Sequence, residues 1–264
     1  MAYLSLQNIN KKFGAAVAVE DFNLEVERGE FVSFLGPSGC GKTTLGRSIL
    51  RLVEPHSGTL LFDDIELITL KPEAMRKMRK RMQIIFQDPY SSLNPRLTIG
   101  EAILEPMRVY KLHHNESGRK ARAEWLLQKA GLEPSHMGRY PHEFSGGQRQ
   151  RVCIARALAV EPEFIICDES VSALDVSVQA QVLNLLNDLK TEFGLTYLFI
   201  SHDLSVVRYM SDRIMVMNKG QIVETGEARE VPLGVLGAAT GGIEVGHRRR
   251  ISTAPRPVIA RYGP

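Results

Sequence analysis

Gly36-Pro-Ser-Gly-Cys-Gly-Lys-Thr-Thr44 follows the apolar run Phe31-Val-Ser-Phe-Leu35 and precedes a helix-like segment, Leu45 to Val53. The stretch fits G-x-x-x-x-G-K-[ST], and strand, glycine-rich loop and helix in that order are the setting a phosphate-binding loop needs. Glycines let the chain curl until successive N–H groups face one point, and the helix N-terminus adds the positive end of its dipole. In that frame Lys42 reaches the β- and γ-phosphates of a nucleoside triphosphate, and the Thr43 hydroxyl ligates Mg²⁺. A chance glycine turn would not carry the flanking strand and helix. Gly36, Pro37, Ser38, Gly39, Cys40, Gly41, Lys42, Thr43 and Thr44 are therefore the expected nucleotide-binding residues.

The 264 residues are 44% hydrophobic and 24% charged, the composition of an ordinary globular chain with room for subdomains. A formal net charge of +3 is too small to argue for nucleic acid. No apolar run approaches the roughly 18 residues of a membrane span. Met1 to Ile9 alternates like a strand and lacks the basic start and apolar core of a signal peptide. The expectation is a cytosolic chain with a membrane partner left open. Cys40, Cys153 and Cys167 lie far apart without metal-ligand spacing and read as reduced, buried side chains.

Four short runs are apolar on both faces: Phe31–Leu35, Met82–Phe86, Phe164–Cys167 and Thr196–Ile200. Ile214–Met217 adds a fifth. Such runs separated by helix-like segments predict a parallel sheet covered on both sides. Phe22, Leu24 and Val26 alternate with polar residues, and Gly58–Phe62 leads into Asp63-Asp64, so an antiparallel sheet should lie beside the nucleotide. Residues from about 98 to 160 read as a helical insertion broken at Pro106, Gly131, Pro134 and Pro141, with Trp125 packing inside it. Met75–Arg81 reads as a solvated basic helix face. From Val231 onward glycine, proline and Arg248-Arg249-Arg250 replace periodicity, which predicts a poorly ordered tail.

Four further elements carry chemistry. Phe164-Ile-Ile-Cys-Asp168-Glu169 is an apolar strand ending in two acids, where open α/β sheets bind ligands. Asp168 suits Mg²⁺, and Glu169 suits the polarisation of an attacking water. Ser145-Gly146-Gly147-Gln148 opens an amphipathic helix, Arg149 to Leu158, and offers N–H groups to an anion, or serves as a plain N-cap. His202 and Gln87 each end a core strand.

In this order the motifs resemble the ATP-binding subunit of an ATP-binding cassette (ABC) transporter over roughly residues 3–227. Ser145–Gln148 is similar to that family's signature motif, with Phe144 where leucine is commonest. Gln87 matches its Q-loop, Ser172 to Asp175 its D-loop, His202 its switch histidine, and Phe13 its adenine-stacking aromatic. Phe86 to Pro95 and Tyr140 to Arg151 resemble the importer branch for dipeptides and oligopeptides, whose related systems carry nickel or glutathione. The resemblance implies a P-loop NTPase (RecA-like) α/β core with an antiparallel β subdomain and a helical signature subdomain, one cassette over residues 1–230. It implies ATP and Mg²⁺ as ligands, hydrolysis with Glu169 as general base, and His202, Gln87 and Lys42 as its catalytic companions. Thr43, Gln87 and Asp168 take the metal, and Asp175 a dimer contact.

The implied partners are a second ABC ATPase subunit, copy or sister, and permease subunits at the cytoplasmic face of the membrane. An external binding protein takes part indirectly. One departure stands out. Ser170 replaces the proline usual after the acidic pair, which frees a φ angle and predicts a looser Glu169 with modestly reduced hydrolysis. The competing readings are a cassette ATPase without a transport role and a weakly catalytic ATP-binding partner. A single phosphate loop, and the short interval from Gly36 to Ser145, argue against translation-factor and chromosome-organising types. Intact Glu169 and His202 argue against the second.

Overall fold

The computed structural model describes residues 2–230. The tail expected from Val231, with its arginine cluster, lies outside them.

Two sheets form. The larger has six strands: β3 (Phe31–Leu35), β6 (Met82–Ile85), β7 (Phe164–Asp168), β8 (Thr196–Ser201), β9 (Arg213–Asn218) and β10 (Gln221–Glu227). Their order is β10-β9-β3-β8-β7-β6, parallel except for the β9–β10 hairpin. The smaller sheet is antiparallel, ordered β2-β1-β4-β5, from β1 (Leu4–Phe13), β2 (Ala16–Val26), β4 (Ser57–Phe62) and β5 (Ile65–Glu66). The expected core strands are present within a residue at their ends, whereas the first strand runs from Leu4 to Phe13, shifted by three to four residues from the expected Met1 to Ile9.

Alternation within the core strands explains the layering. Phe31, Leu35, Ile165, Cys167, Tyr197 and Phe199 enter one apolar cluster. Their strand neighbours Val32, Phe34, Phe164, Ile166, Leu198 and Ile200 enter the other. The second cluster is closed by the small sheet and by α1 (Lys42–Ile49). The first is closed by α4 (Ile99–Val109), α5 (Glu116–Lys129), α6 (Gly146–Leu158), α7 (Val176–Phe193) and α8 (Leu204–Met210). A parallel sheet buried on both faces follows directly from strands with no polar side. α1 starts at Lys42, earlier than the sequence predicts, because Gly41 itself serves as N-cap.

Two expectations need correction. Pro106 does not break the insertion but sits inside α4. Proline removes one helical hydrogen bond, yet Ile103 and Met107 on either side are fully buried and hold the helix in place. The basic run Met75–Arg81 is not simply a solvated face. It lies in α2 (Pro72–Arg81), where Arg79 donates to the carbonyls of Leu50 and Arg51, and Arg81 to Glu163 and Asp63.

Arg81 is the centre of a tie between the two sheets. Its Nε donates to Glu163 Oε1 at 2.5 Å, Arg28 reaches Glu163 Oε2 at 3.0 Å, and the Tyr3 hydroxyl donates to the same oxygen at 2.9 Å. The bond from Arg81, aided by that from Tyr3, holds the Glu163 carboxyl down at about 2, although partial burial opposes this. A carboxyl depressed in the folded state stabilises the fold above its unfolded value and loses that contribution as pH falls towards its folded value. The side chain is 34% exposed, so solvent screens part of the effect. Glu163→Gln should therefore lower Tm at pH 7 by a few degrees, about 1 kcal/mol in a domain of this size. The gap to the parent should close as pH drops from about 4.5 towards 2. Melting curves across that range check it.

Candidate nucleotide-binding site

The loop between β3 and α1 curls because two of its glycines cannot be replaced. A Cβ on Gly36 would lie 2.3 Å from the Met217 carbonyl oxygen, and one on Gly41 2.1 Å from that of Ala18. Gly41 also holds φ at +106°, outside the range of ordinary side chains. The Gly220 N–H donates to the Cys40 carbonyl, which ties the loop to the β9–β10 turn. Lys42 is buried, and its ammonium donates to the carbonyls of Gly36 at 2.7 Å and Pro37 at 2.9 Å.

Above this loop lies a pocket of about 320 Å³ lined by Ala18, Ser38, Gly39, Gly41, Lys42, Thr43, Thr44, Gln87 and Glu169. Ala18 is the member that sequence reasoning missed; a lone alanine in a strand carries no local signal. A pocket of about 340 Å³ elsewhere is lined by Arg122, Leu158, Glu161, Pro162, Glu163, Phe193 and Leu195. None of the expected site residues lines it, so chemistry rather than volume selects the smaller one.

Strand ends bring the acids together. Thr43 Oγ1 donates to Asp168 Oδ1 at 2.7 Å, joining the first turn of α1 to the end of β7. Burial pushes the Asp168 carboxyl up, and the Thr43 bond partly offsets this. Gln87, just past β6, donates from Nε2 to Glu169 Oε2 at 3.1 Å. His202, just past β8, places Nδ1 3.6 Å from the same oxygen. Glu169 sits at φ +48°; its N–H donates to the Ile200 carbonyl, and its own carbonyl accepts from Ser172 N and Oγ. These bonds fix the Glu169 backbone on both sides without a proline at 170, so the looseness expected from Ser170 has little room. Ser170 itself is buried.

The remaining expected residues stand apart from this pocket. Ser145 N-caps α6: its hydroxyl accepts from Gln148 N at 3.3 Å, and Gln148 Oε1 accepts from Ser145 N at 3.0 Å. The helix thus begins at Gly146, not at Arg149, and its free N–H groups belong to the glycines. Gly147 packs so closely on Val178 of α7 that a Cβ there would lie 2.2 Å from Val178 Cγ1. Phe144 is buried, with its ring edge-on to His136 and the Arg139 guanidinium over it. Asp175 caps the start of α7 without using its side chain, and the neighbouring Val176 is 83% exposed. Phe13, at the end of β1, is 53% exposed. None of Phe13, Ser145, Gly146, Gly147, Gln148 or Asp175 lines the pocket.

Residues 19–172, more than half of the chain, match the ABC transporter family. The chain belongs to that family. The cassette is 53% identical over 214 residues to a glutathione import ATP-binding protein of Pectobacterium atrosepticum, and 54% identical over 214 residues to its namesake in Escherichia coli. Each alignment covers 81% of this chain and 34% of the relative, so the chain spans about a third of their length. Among solved structures, a dimeric post-hydrolysis state of the ATP-binding cassette MJ0796 bound to ADP and Pi is 34% identical. It has a TM-score of 0.78 and covers 86% of this chain and all of that one. A cassette from Clostridium perfringens, cbiO1, described as part of an ABC transporter complex, is 27% identical, with a TM-score of 0.79 over 87% of this chain and 90% of its own. The fold is that of an ABC ATPase cassette.

Proposed function

We propose that this cassette hydrolyses ATP to drive an importer for peptides or related small cargo such as glutathione, at the cytoplasmic face of the membrane. The observation that carries the reading is the convergence of Gln87 and His202 on one oxygen of Glu169, at the mouth of the pocket formed by the phosphate loop. Both neighbours meet Oε2, which leaves Oε1 to accept a proton from the attacking water. His202 then orients the γ-phosphate, and Lys42 exchanges its loop carbonyls for phosphate oxygens. Phe13 stacks on adenine.

Thr43 and Asp168 offer hard oxygen donors already in contact, with Gln87 lining the same pocket, and a buried carboxyl pushed upward gains from a cation. This donor set suits Mg²⁺, which prefers few protein oxygens completed by water and phosphate. When bound, the metal would neutralise charge on the phosphates.

Ser145–Gln148 lies away from the pocket of its own chain, which supports completion of the site by a second cassette. Its Gly146 and Gly147 N–H groups would meet the γ-phosphate bound to the partner. ATP would then favour the closed pair, and its hydrolysis would release it. Among the described residues no helix is long and apolar enough to cross a membrane; the permease subunits are those that the family resemblance implies. The test is vanadate-sensitive ATP hydrolysis by the chain co-purified with its permease, together with an ATP-dependent monomer-to-dimer shift of the unsubstituted cassette in analytical ultracentrifugation. Absence of both overturns the proposal.

Cys40 offers a second check. Its sulfur is buried 3.6 Å from the Lys42 ammonium. Iodoacetamide should therefore label Cys40 slowly, ATP should slow it further, and the labelled protein should no longer bind nucleotide. Mass spectrometry of the labelled fraction beside an ATP-binding assay reads all three.

A further inference from the structure

The pocket of about 340 Å³ lies at the end of the core sheet opposite the nucleotide site. It opens where β7 and β8 begin, whereas Asp168 and His202 stand where those strands finish. Its volume is at the small end of the range for small-molecule sites. Leu158, Pro162, Phe193 and Leu195 give it an apolar lining, and Arg122 of α5 and Glu161 bring opposite charges to it.

The Arg122 guanidinium stands 4.1 Å from the centroid of the Trp125 ring, and that ring meets Phe193 edge-on at 5.9 Å. The stack fixes the guanidinium, as planar Arg groups on aromatic faces are fixed. Yet among the described residues Arg122 donates no hydrogen bond, and its Nε is buried without a partner. Glu161 Oε1 lies 3.6 Å from Arg122 Nη2 and 3.7 Å from His113 Nε2. Both distances are too long for a hydrogen bond. Glu163, the other acid in the lining, is already engaged by Arg81, Arg28 and Tyr3. A donor fork and a carboxylate thus stand side by side against an apolar wall, each short of hydrogen bonds.

We propose that this pocket binds a free α-amino acid with an apolar side chain. Its carboxylate accepts from Arg122, its ammonium donates to Glu161, and its side chain covers Leu158, Pro162, Phe193 and Leu195. The two charges of an α-amino acid sit on one carbon, so they can meet a donor and an acceptor only 3.6 Å apart. One loose ion pair is replaced by two charge-assisted hydrogen bonds. A plain carboxylate would draw Arg122 from Glu161 and leave the acid uncompensated, and a plain amine would do the reverse. A dipeptide carries its termini one residue further apart, about 3.5 Å, and overshoots the pair. The site does not depend on the hydrolytic reading above.

Calorimetric titration of the full chain with L-leucine tests this. The comparison ligands are 4-methylpentanoate, which lacks the ammonium, 3-methylbutylamine, which lacks the carboxylate, and leucyl-leucine. Leucine should bind with a Kd on the order of 1 mM, as suits so small a ligand. Each single-charge analogue should bind about tenfold more weakly, the scale of one lost charge-assisted hydrogen bond. Trp125, the only tryptophan of the chain, should report leucine binding as a shift in emission. Arg122→Met and Glu161→Gln should each weaken leucine about tenfold. ATP affinity should stay at the parent value in both, because neither residue lines the nucleotide pocket, and it shows that each variant is folded. If Arg122→Met does not fold, Glu161→Gln carries the test, since that side chain is half exposed. No leucine binding, equal binding of the analogues, tighter binding of leucyl-leucine, or parent-like leucine affinity in Glu161→Gln overturns the inference.

Discussion

Glu169→Gln should leave ATP binding intact and lower hydrolysis on the order of 10²-fold or more, the scale of a lost general base. The substitution is nearly isosteric and keeps the backbone bonds to Ile200 and Ser172 that hold residue 169 in place. Lys42, Thr43 and the loop glycines Gly39 and Gly41, which line the pocket and are proposed to hold the phosphates, are not disturbed. What disappears is the carboxylate proposed to accept the proton. The glutamine oxygen can still accept the Gln87 amide bond, so the loop stays seated. The expected consequence is a cassette pair trapped closed on ATP, because the step that opens it is blocked. Single-turnover hydrolysis and equilibrium binding, measured on the same preparation, separate the two effects. Near-parent turnover would remove Glu169 from the role of base.

The outcome also measures how far local sequence carries. Residues 31–44 announce their structure because every requirement is local: an apolar strand, glycines where φ is positive, a lysine and a threonine at the helix start. Asp168, Glu169, Gln87 and His202 are legible for a similar reason, since each ends a core strand and the ends of parallel strands share one edge. Pro106 misleads because the propensity of one residue yields to burial of Ile103 and Met107. Arg79 and Arg81 mislead because a basic run looks the same whether its guanidinium groups meet water or backbone carbonyls in another element. Arg122 has no local signal at all: its ionic partner, Glu161, lies past the end of another helix, α6. Contacts across that separation are set by how helices pack, and period or spacing does not encode them.

Gly41→Ala tests whether the loop's geometry, and not only its composition, makes the site. A single methyl group is added, far less than most substitutions at a binding site. It would stand 2.1 Å from the Ala18 carbonyl oxygen, and that neighbour is backbone within β2, not the end of a pliable side chain. Ala18 also lines the pocket, so the clash cannot be relieved by moving β2 without reshaping the nucleotide's surroundings. The φ of +106° adds strain of roughly 1–3 kcal/mol for a residue with a side chain, and the overlap adds a similar amount. The cheaper escape is for the loop to uncurl, which turns its N–H groups away from the phosphates and removes the α1 N-cap. ATP binding should then be lost, while Tm falls by roughly 5–15 °C for a domain of this size. Gly39→Ala is the control: a Cβ there meets nothing within 4 Å, although its φ of +79° is also positive, so strain acts without overlap. Retained ATP affinity in Gly41→Ala would mean that β2 and the loop part without harm, and that the close approach of Gly41 to Ala18 is incidental to nucleotide binding.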